Sequence, residues 1–215
     1  IFSDVHMCSQ APELIEKYCK HIYSITENTD AVYILGDLFD YWIGPENKKD
    51  YKKVIEYLQI IAKKSPVYFM PGNRDFLLEK KCLETIGVEL IQDPFTIDYD
   101  NKKILLSHGD IFCTDDTSYQ RLKTVIQNKW IKKAFLKLPF AYRTFIAKKL
   151  RLKSSKSTRK KPSPMMNACQ QTILSYLQKH KANTCIHGHV HKLSHTLPNV
   201  EQNIELAVLD SWEHQ

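Results

Sequence analysis

The 215-residue sequence predicts an α/β fold in which two packed sheets carry a helical insertion. Three observations support this prediction. In the first third of the chain, short apolar segments alternate with segments of helical period, as strands alternate with helices. From residue 88, further short apolar segments follow one another closely and suggest a second group of strands. Residues from about 115 to 165 have a helical period instead. We therefore expect a single domain, residues 1–215, with a helical cap inserted at about 115–165.

The predicted elements follow from local signals. Apolar runs predict strands at residues 1–5, 31–35, 67–70, 88–91, 95–98, 103–107, 184–186 and 204–209. Amphipathic periods predict helices at residues 12–28, 50–64, 130–152 and 165–179. Pro66 ends the second helix, and Pro139 divides the third into two. The Ser- and Lys-rich residues 153–161 predict a loop.

Several classes of protein are excluded by composition. No segment approaches roughly 18 uncharged apolar residues, so the sequence predicts no transmembrane helix. The chain opens in a predicted strand rather than a secretory leader, and we expect a few residues to precede Ile1. The six cysteines are scattered without a Cys-x-x-Cys pair, as in cytosolic proteins with reduced thiols.

The net charge of +7 conceals a strong segregation of charge. Between Thr117 and Val200 the chain carries 18 Lys and Arg and no Asp or Glu, whereas the remainder carries 13 basic and 24 acidic residues. Such a segment indicates a surface that meets anions: a nucleic acid, anionic lipid headgroups or a phosphorylated ligand. A solvated basic face without a partner is the simpler alternative.

Five polar clusters each follow a predicted apolar strand. They are Asp4-Val5-His6, Gly36-Asp37, Gly72-Asn73, His108-Gly109 and Gly188-His189-Val190-His191. Singly each is weak evidence, because an Asp after a strand usually caps a turn. Open α/β sheets place their chemistry at the carboxyl ends of strands, so together the clusters predict one site. Carboxylate, amide and imidazole ligands suit Mn²⁺, Fe or Zn²⁺, and one shared carboxylate allows two ions roughly 3.5–4 Å apart.

The order of these clusters resembles that of the calcineurin-like metallophosphoesterases, a superfamily with a four-layer αββα fold. A narrower similarity covers nearly the whole chain. Residues 36–44 (Gly-Asp-Leu-Phe-Asp-Tyr-Trp-Ile-Gly), 72–77 (Gly-Asn-Arg-Asp-Phe-Leu) and 108–116 resemble the UDP-2,3-diacylglucosamine diphosphatase family. Two positions depart from that family's pattern, with Asn167 in place of its Asp and Asp210 in place of its Gly.

The resemblance implies a site for two divalent ions, with Mn²⁺ the expected metal. One ion would be held by Asp4, His6, Asp37 and His191, and the other by Asp37, Asn73, His108 and His189. The implied substrate contacts are Asn73, Arg74, Asp116, Ser154, Thr158, Lys161 and His189. The implied catalytic residues are Asp37, Asn73, Arg74 and His108.

The resemblance further implies hydrolysis of UDP-2,3-diacylglucosamine to UMP and 2,3-diacylglucosamine 1-phosphate in lipid A biosynthesis. A hydroxide bridging the two ions would attack the α-phosphorus. Many metallophosphoesterases carry His at the position of Arg74, where it protonates an alkoxide leaving group. An Arg cannot act as that acid at neutral pH, but a phosphate leaving group needs little protonation. Arg74 can instead bind phosphate oxygens bidentately.

The lipid-linked nucleotide substrate that the resemblance implies would also explain the cap. A groove for acyl chains could be lined by Trp130, Phe135, Leu138, Phe140, Phe145, Ile146 and Leu150. The amphipathic and basic pattern predicts peripheral attachment to an anionic membrane, which would be the cytoplasmic face of the inner membrane. The alternative is that these apolar residues only pack the cap onto the core. We expect a monomer and no nucleic-acid partner.

Other functions remain open at this stage. The chain could be another phosphoesterase of the superfamily that acts on a nucleotide or a phosphoprotein, although Arg74 and the apolar, basic cap argue against it. It could be a nucleic-acid phosphodiesterase or binder, since acid-free basic segments often contact phosphate backbones. A non-catalytic scaffold would be expected to lack some of the ligands, and none is missing.

Overall fold

Two β-sheets, packed against each other and covered by helices on both outer sides, form the core. The structure is a computed structural model, and it describes residues 1–160, 167–199 and 204–212, with only the backbone at 153–160 and 198–199. The arrangement confirms the α/β class and the two packed sheets predicted from the sequence.

The first sheet contains three parallel strands in the order β1 (Val32–Leu35), β2 (Val67–Met70) and β3 (Val88–Leu90). Helix α1 (Pro12–Ile25) precedes β1, α2 (Lys52–Ala62) joins β1 to β2, and the short α3 (Lys80–Glu84), which was not predicted, joins β2 to β3. The strand predicted at residues 1–5 is reduced to an isolated bridge from Phe2 to Ile34. The start of the chain nevertheless runs parallel to β1.

The second sheet has the strand order β4-β5-β6-β8-β7. Its strands are β4 (Phe95–Tyr99), β5 (Lys102–Ser107), β6 (Thr184–His187), β7 (Ser194–Asn199) and β8 (Ile204–Val208). Strands β5, β6 and β8 are parallel, and the edge strands β4 and β7 pair antiparallel to their neighbours. Strand β7 was not predicted from the sequence. Because β5 and β6 are adjacent and parallel, the residues that follow them emerge at the same edge.

Three apolar layers hold four layers of secondary structure together. The first lies between the helices α1 and α2 and the first sheet, the second between the two sheets, and the third between the second sheet and α7 (Gln170–His180). Alternation along β5 explains the division, because Leu105 faces α7 while Leu106 faces the first sheet. These layers correspond to the αββα order.

Three helices between β5 and α7 form the cap: α4 (Thr117–Gln127), α5 (Lys129–Leu136) and α6 (Phe140–Lys160). As predicted, Pro139 separates α5 from α6. The loop predicted at residues 153–161 is wrong over 153–160, where α6 continues. Lys, Arg and Ser are compatible with a helix, and no Gly or Pro follows Pro139 before Pro162. Within the described residues, no helix is both long and apolar enough to cross a membrane.

Helix α4 contacts the core through Asp110, which lies just beyond β5 in a short 3₁₀ turn. The Tyr119 hydroxyl donates to Asp110 Oδ2 at 2.7 Å, and Lys123 Nζ donates to Oδ1 at 2.8 Å. Gln120 adds a hydrogen bond to the Asp110 carbonyl oxygen at 2.8 Å. No side chain of α4 is fully buried. Polar contacts therefore position this helix more than apolar packing does.

Helix α6 is attached to the loop after β1 by Arg143, whose side chain is 3% exposed. The guanidinium donates to the carbonyl oxygen of Ile43 at 2.6 Å and to that of Leu138 at 3.0 Å, and it contacts the Glu46 carboxylate. Gly44 makes room for it, since a Cβ at this position would lie 1.9 Å from Arg143 Nη1.

Replacing Arg143 by Met should lower the free energy of unfolding by about 2–3 kcal/mol, because two buried carbonyl oxygens lose their donor. Urea denaturation followed by circular dichroism measures this change. The matched control is Arg121→Met, an exposed Arg on α4, which should shift stability by less than about 0.5 kcal/mol. Equal stability of the two variants would contradict the anchoring role of Arg143.

Candidate metal centre

The five polar clusters predicted from the sequence meet at one edge of the two sheets. Asp37 and Asn73 follow β1 and β2, and His108 and His189 follow β5 and β6. The start of the chain runs beside β1, with the Asp4 amide donating to the Gly36 carbonyl oxygen at 3.1 Å. The structure thus brings together all seven residues expected to bind metal.

The first group consists of Asp4, His6 and His191, whose ligand atoms lie within 4.8 Å of one another. The Nε2 atoms of His6 and His191 are 3.1 Å apart, and His191 Nε2 is 3.2 Å from Asp4 Oδ1. The backbone amide of His189 donates to the other oxygen of Asp4 at 2.9 Å. Three side chains from opposite ends of the chain therefore point at one volume.

The second group consists of Asp4, Asp37 and His108, again within 4.8 Å. Asn73 Oδ1 lies 3.2 Å from His108 Nε2, and the His189 ring lies edge-on to the His108 ring with centroids 5.0 Å apart. The Nδ1 atom of His108 donates to the Leu35 carbonyl oxygen at 2.9 Å, which leaves Nε2 facing the carboxylates.

Unusual backbone conformation is concentrated at this site. Asp4, His6, Asp37, His189 and His191 all have positive φ, between 52° and 70°. Such conformations are costly outside glycine and tend to occur where function requires them. Close packing accompanies them, since a Cβ at Gly72 would lie 2.2 Å from Asp37 Oδ1, and one at Gly188 would lie 2.2 Å from Asp4 Oδ2.

Burial and mutual charge perturb the acids and imidazoles of the site. Burial raises the pKa of Asp37, and the same effect, reinforced by the Asp37 charge, raises the pKa of Asp75 to about 7. Burial opposes ionisation of Asp4 too, but the hydrogen bond with His191 and the positive charge of His108 hold its pKa below the usual value. A compact group of carboxylates here lacks water to stabilise its charge.

The imidazoles divide into two kinds. Burial, helped by the charge of Arg74, lowers the pKa of His6 to about 2, and burial lowers that of His189 to about 3. His108 behaves differently: burial would lower its pKa, but the charges of Asp37 and Asp4 outweigh burial and raise it to about 9. At neutral pH His6 and His189 are neutral, whereas His108 carries a proton.

The donor set fits divalent metal ions. Asp4 and Asp37 are at most 2% exposed, and His6 Nδ1 is buried without a hydrogen-bond partner among the described residues. Converging carboxylates and imidazoles with an uncompensated buried nitrogen match the preference of Mn²⁺, Fe²⁺ and Zn²⁺ for mixed oxygen and nitrogen ligands.

Arg74, a predicted substrate-binding residue, lies beside the Asp37 carboxylate. Its backbone amide donates to Asp37 Oδ1 at 2.9 Å, and its Nε lies 3.5 Å from Asp37 Oδ2. The side chain is 27% exposed, so its guanidinium can still meet a ligand.

The other predicted substrate contacts are placed less completely. Asp116 caps α4, where its Oδ1 accepts from the Tyr119 amide at 3.0 Å. Ser154 and Thr158 lie within α6, where only the backbone is described, and Lys161 lies outside the described residues.

From the sequence alone, Asp75 could either orient a neighbouring ligand or merely stabilise a turn. Its carboxylate accepts from the amides of Leu38 at 2.9 Å and Gly72 at 2.8 Å, and it lies 3.4 Å from the Asp37 amide. It therefore ties the loop after β1 to the loop after β2. The sequence signal for this role is weak: Asp75 lies two residues after Asn73, inside the Gly72-Asn73-Arg74-Asp75 motif.

From the sequence, His187 is more readily a structural or ligand-supporting residue than a metal ligand, and its contacts are those of a packed side chain. It is 1% exposed, its Nδ1 lies 2.9 Å from the Gly188 carbonyl oxygen, and its ring packs edge-on against Phe112.

Comparison with known proteins identifies relatives of the chain. The sequence model described as calcineurin-like phosphoesterase matches residues 1–193. UDP-2,3-diacylglucosamine hydrolase of Photorhabdus laumondii is 33% identical, and the match covers 99% of this chain and 90% of that protein. Proteins of the same name from Coxiella burnetii and Aeromonas salmonicida are each 34% identical over 99% of this chain, and the matches cover 88% and 85% of those proteins.

Binding of Mn²⁺ should release at least one proton at neutral pH, because His108 must lose its proton to become a ligand while His6 and His189 are already neutral. Affinity should therefore rise as pH rises toward the pKa of His108, about 9. Isothermal titration calorimetry in two buffers of different ionisation enthalpy measures the proton count. Identical heats in the two buffers would show that His108 does not hold the proton.

Proposed function

The chain belongs to the calcineurin-like phosphoesterase family and, within it, to the family of the UDP-2,3-diacylglucosamine hydrolases, and we propose that it hydrolyses UDP-2,3-diacylglucosamine in lipid A biosynthesis. The products would be UMP and 2,3-diacylglucosamine 1-phosphate. One observation carries the proposal: the guanidinium of Arg74 lies beside Asp37, at the rim of a buried cluster of carboxylates and imidazoles. This arrangement would pair a metal centre with a cation suited to phosphate.

The residues of the site would hold two divalent ions, and Mn²⁺ is the ion we propose. Asp4, His6, Asp37 and His191 would hold one of them, and Asp37, Asn73, His108 and His189 the other. When bound, these ions would supply Lewis acidity toward phosphoryl oxygens and lower the pKa of a water molecule. Asp37 is the carboxylate common to both proposed sets, and it is only 2% exposed.

Arg74 would bind the non-bridging oxygens of the diphosphate. Its planar guanidinium can form two parallel hydrogen bonds and offset the charge that develops on those oxygens. It cannot donate a proton to the leaving group, because a guanidinium stays charged at any physiological pH. The reaction does not require such a donor, since the bond that breaks joins the α-phosphorus to an oxygen of a phosphate monoester, which leaves as an anion.

The cap would bind the acyl chains. Nine large apolar side chains of its described residues are exposed: Leu122, Val125, Trp130, Ile131, Leu138, Tyr142, Phe145, Leu150 and Leu152. Each Å² of apolar surface that an acyl chain covers would contribute about 25 cal/mol, so a modest contact area gives substantial affinity.

Two of the proposed polar substrate contacts also belong to the cap. Ser154 and Thr158 stand three and seven residues after Arg151 on α6, a spacing that puts the three positions on one side of the helix.

The residues predicted for the acyl groove do not form a uniform set. Trp130, Leu138, Phe145 and Leu150 are exposed, whereas Phe140 and Ile146 are half-buried. Phe135 packs against the apolar layer of the first sheet, so we assign it to attachment of the cap and not to lipid binding.

Attachment to an anionic membrane surface would bring the enzyme to its lipid substrate. The exposed aromatic side chains of the cap lie among basic ones; Lys133 Nζ lies 5.5 Å from the Trp130 ring and Lys149 Nζ lies 5.0 Å from the Phe145 ring. Aromatic residues flanked by Lys are the composition of helices that lie in the headgroup region. We propose a peripheral position on the cytoplasmic face of the inner membrane, with the enzyme acting as a monomer.

Chelated protein should release UMP from UDP-2,3-diacylglucosamine only after Mn²⁺ is added back, and in ¹⁸O-labelled water the label should appear in UMP. Asp37→Asn should lower kcat at least about 10³-fold, because both ions lose a shared ligand. Liquid chromatography with mass spectrometry measures UMP and its label.

The matched control for that variant is Asp98→Asn, an exposed Asp on β4 that should retain wild-type activity. Circular dichroism should show both variants folded. Metal-independent release would contradict the proposed function, and label in the sugar phosphate would contradict attack at the α-phosphorus.

The double variant Trp130→Asp/Phe145→Asp should bind vesicles of phosphatidylethanolamine and phosphatidylglycerol at least about tenfold more weakly than the wild type, because two aromatic side chains no longer enter the headgroup region. Cosedimentation measures the bound fraction, and added salt should reduce it further. Tyr99→Asp is the control, since Tyr99 is 68% exposed on β4 outside the cap. An equal loss of vesicle binding in the control would contradict a role for the cap in membrane binding.

A further inference from the structure

Asp40 is a buried carboxylate held between two arginines from different parts of the fold. Its side chain is 5% exposed. Its Oδ1 accepts from Arg74 Nη1 at 3.1 Å, and its Oδ2 contacts the guanidinium of Arg151 on the cap helix α6. Arg151 is 53% exposed, so it reaches into the site from solvent.

Arg74 is thus shared between two acids in the structure. Its Nε lies 3.5 Å from Asp37 and its Nη1 lies 3.1 Å from Asp40. To bind phosphate oxygens bidentately, the guanidinium has to turn away from at least one of these carboxylates. Leaving a buried carboxylate without its cation is strongly unfavourable. Release of Arg74 is therefore easiest if a second cation already compensates Asp40.

We propose that Asp40 and Arg151 are positioning residues for Arg74. Asp40 orients the guanidinium at the rim of the site, and Arg151 keeps Asp40 compensated when Arg74 turns to an anionic phosphoryl group. This inference rests on the proposed function in one respect, that Arg74 receives a phosphate. It also couples the cap to the chemistry, because Asp40 belongs to the loop after β1 and Arg151 to α6.

A kinetic double-mutant cycle distinguishes this role from direct contact of Arg151 with the substrate. In the native background, Arg151→Gln should raise KM for UDP-2,3-diacylglucosamine about tenfold with little change in kcat, because Arg74 is then held back as the sole partner of Asp40. In the Asp40→Asn background the same change should alter KM less than about twofold. A tenfold rise in both backgrounds would overturn the proposal, and so would no rise in either.

Two further variants sharpen the kinetic test. Arg151→Lys keeps the charge and should restore KM to within about twofold of wild type, because compensation requires a cation and not a planar fork. Lys148→Gln removes an exposed cation from the same helix and should leave KM unchanged. A rise in KM for Lys148→Gln equal to that for Arg151→Gln would assign the effect to general charge and overturn the proposal.

A stability cycle tests compensation without any substrate. Arg74→Gln should be tolerated while Arg151 remains, and Arg151→Gln should be tolerated while Arg74 remains. The double variant leaves Asp40 without either cation, so its Tm should fall by at least about 3 °C more than the sum of the single shifts. Additive shifts would overturn the proposal. If the wild-type protein releases no UMP, the proposed function fails while this stability cycle still decides whether Arg151 compensates Asp40.

Discussion

The structure depends on keeping the carboxylates of Asp4, Asp37 and Asp75 close together and away from water. Like charges repel and burial penalises each of them, as the raised pKa values of Asp37 and Asp75 show. The protein offsets this cost with backbone amides aimed at Asp75 and with a protonated His108. Divalent ions would offset this cost more fully. The same buried acids that destabilise the metal-free site would therefore favour strong metal binding.

Much of this was predictable because the signals are local. Apolar runs that end in Asp, Asn or His mark the strand ends, and parallel neighbours such as β5 and β6 must deliver His108 and His189 to the same edge. Pro139 predicts the break between α5 and α6 by removing a donor and clashing with the preceding turn. The second sheet is predictable because the apolar segments from residue 88 follow one another closely, whereas those in the first third of the chain alternate with helices.

The rest depends on contacts between distant residues. Asp40 and Arg151 are 111 positions apart, and their pairing depends on how α6 crosses the core, which no local pattern encodes. Asp75 could be a turn residue or a brace between loops, and only the approach of β1 to β2 decides. The extension of α6 through Lys160 was missed because Ser and Lys are common in loops yet do not terminate a helix.

The cap is attached to the core largely through polar contacts at Asp40, Ile43 and Asp110, while most of its large apolar side chains remain outside. Under the proposed function, folding and lipid recognition would depend on different residues of the same segment. If the acyl chains of the substrate change over evolution, the outer apolar positions could vary with little effect on the fold. Selection for a stable fold should act on the few polar contacts that attach the cap. Selection for lipid binding should act on its exposed apolar side chains, so the two could proceed almost independently within one short segment.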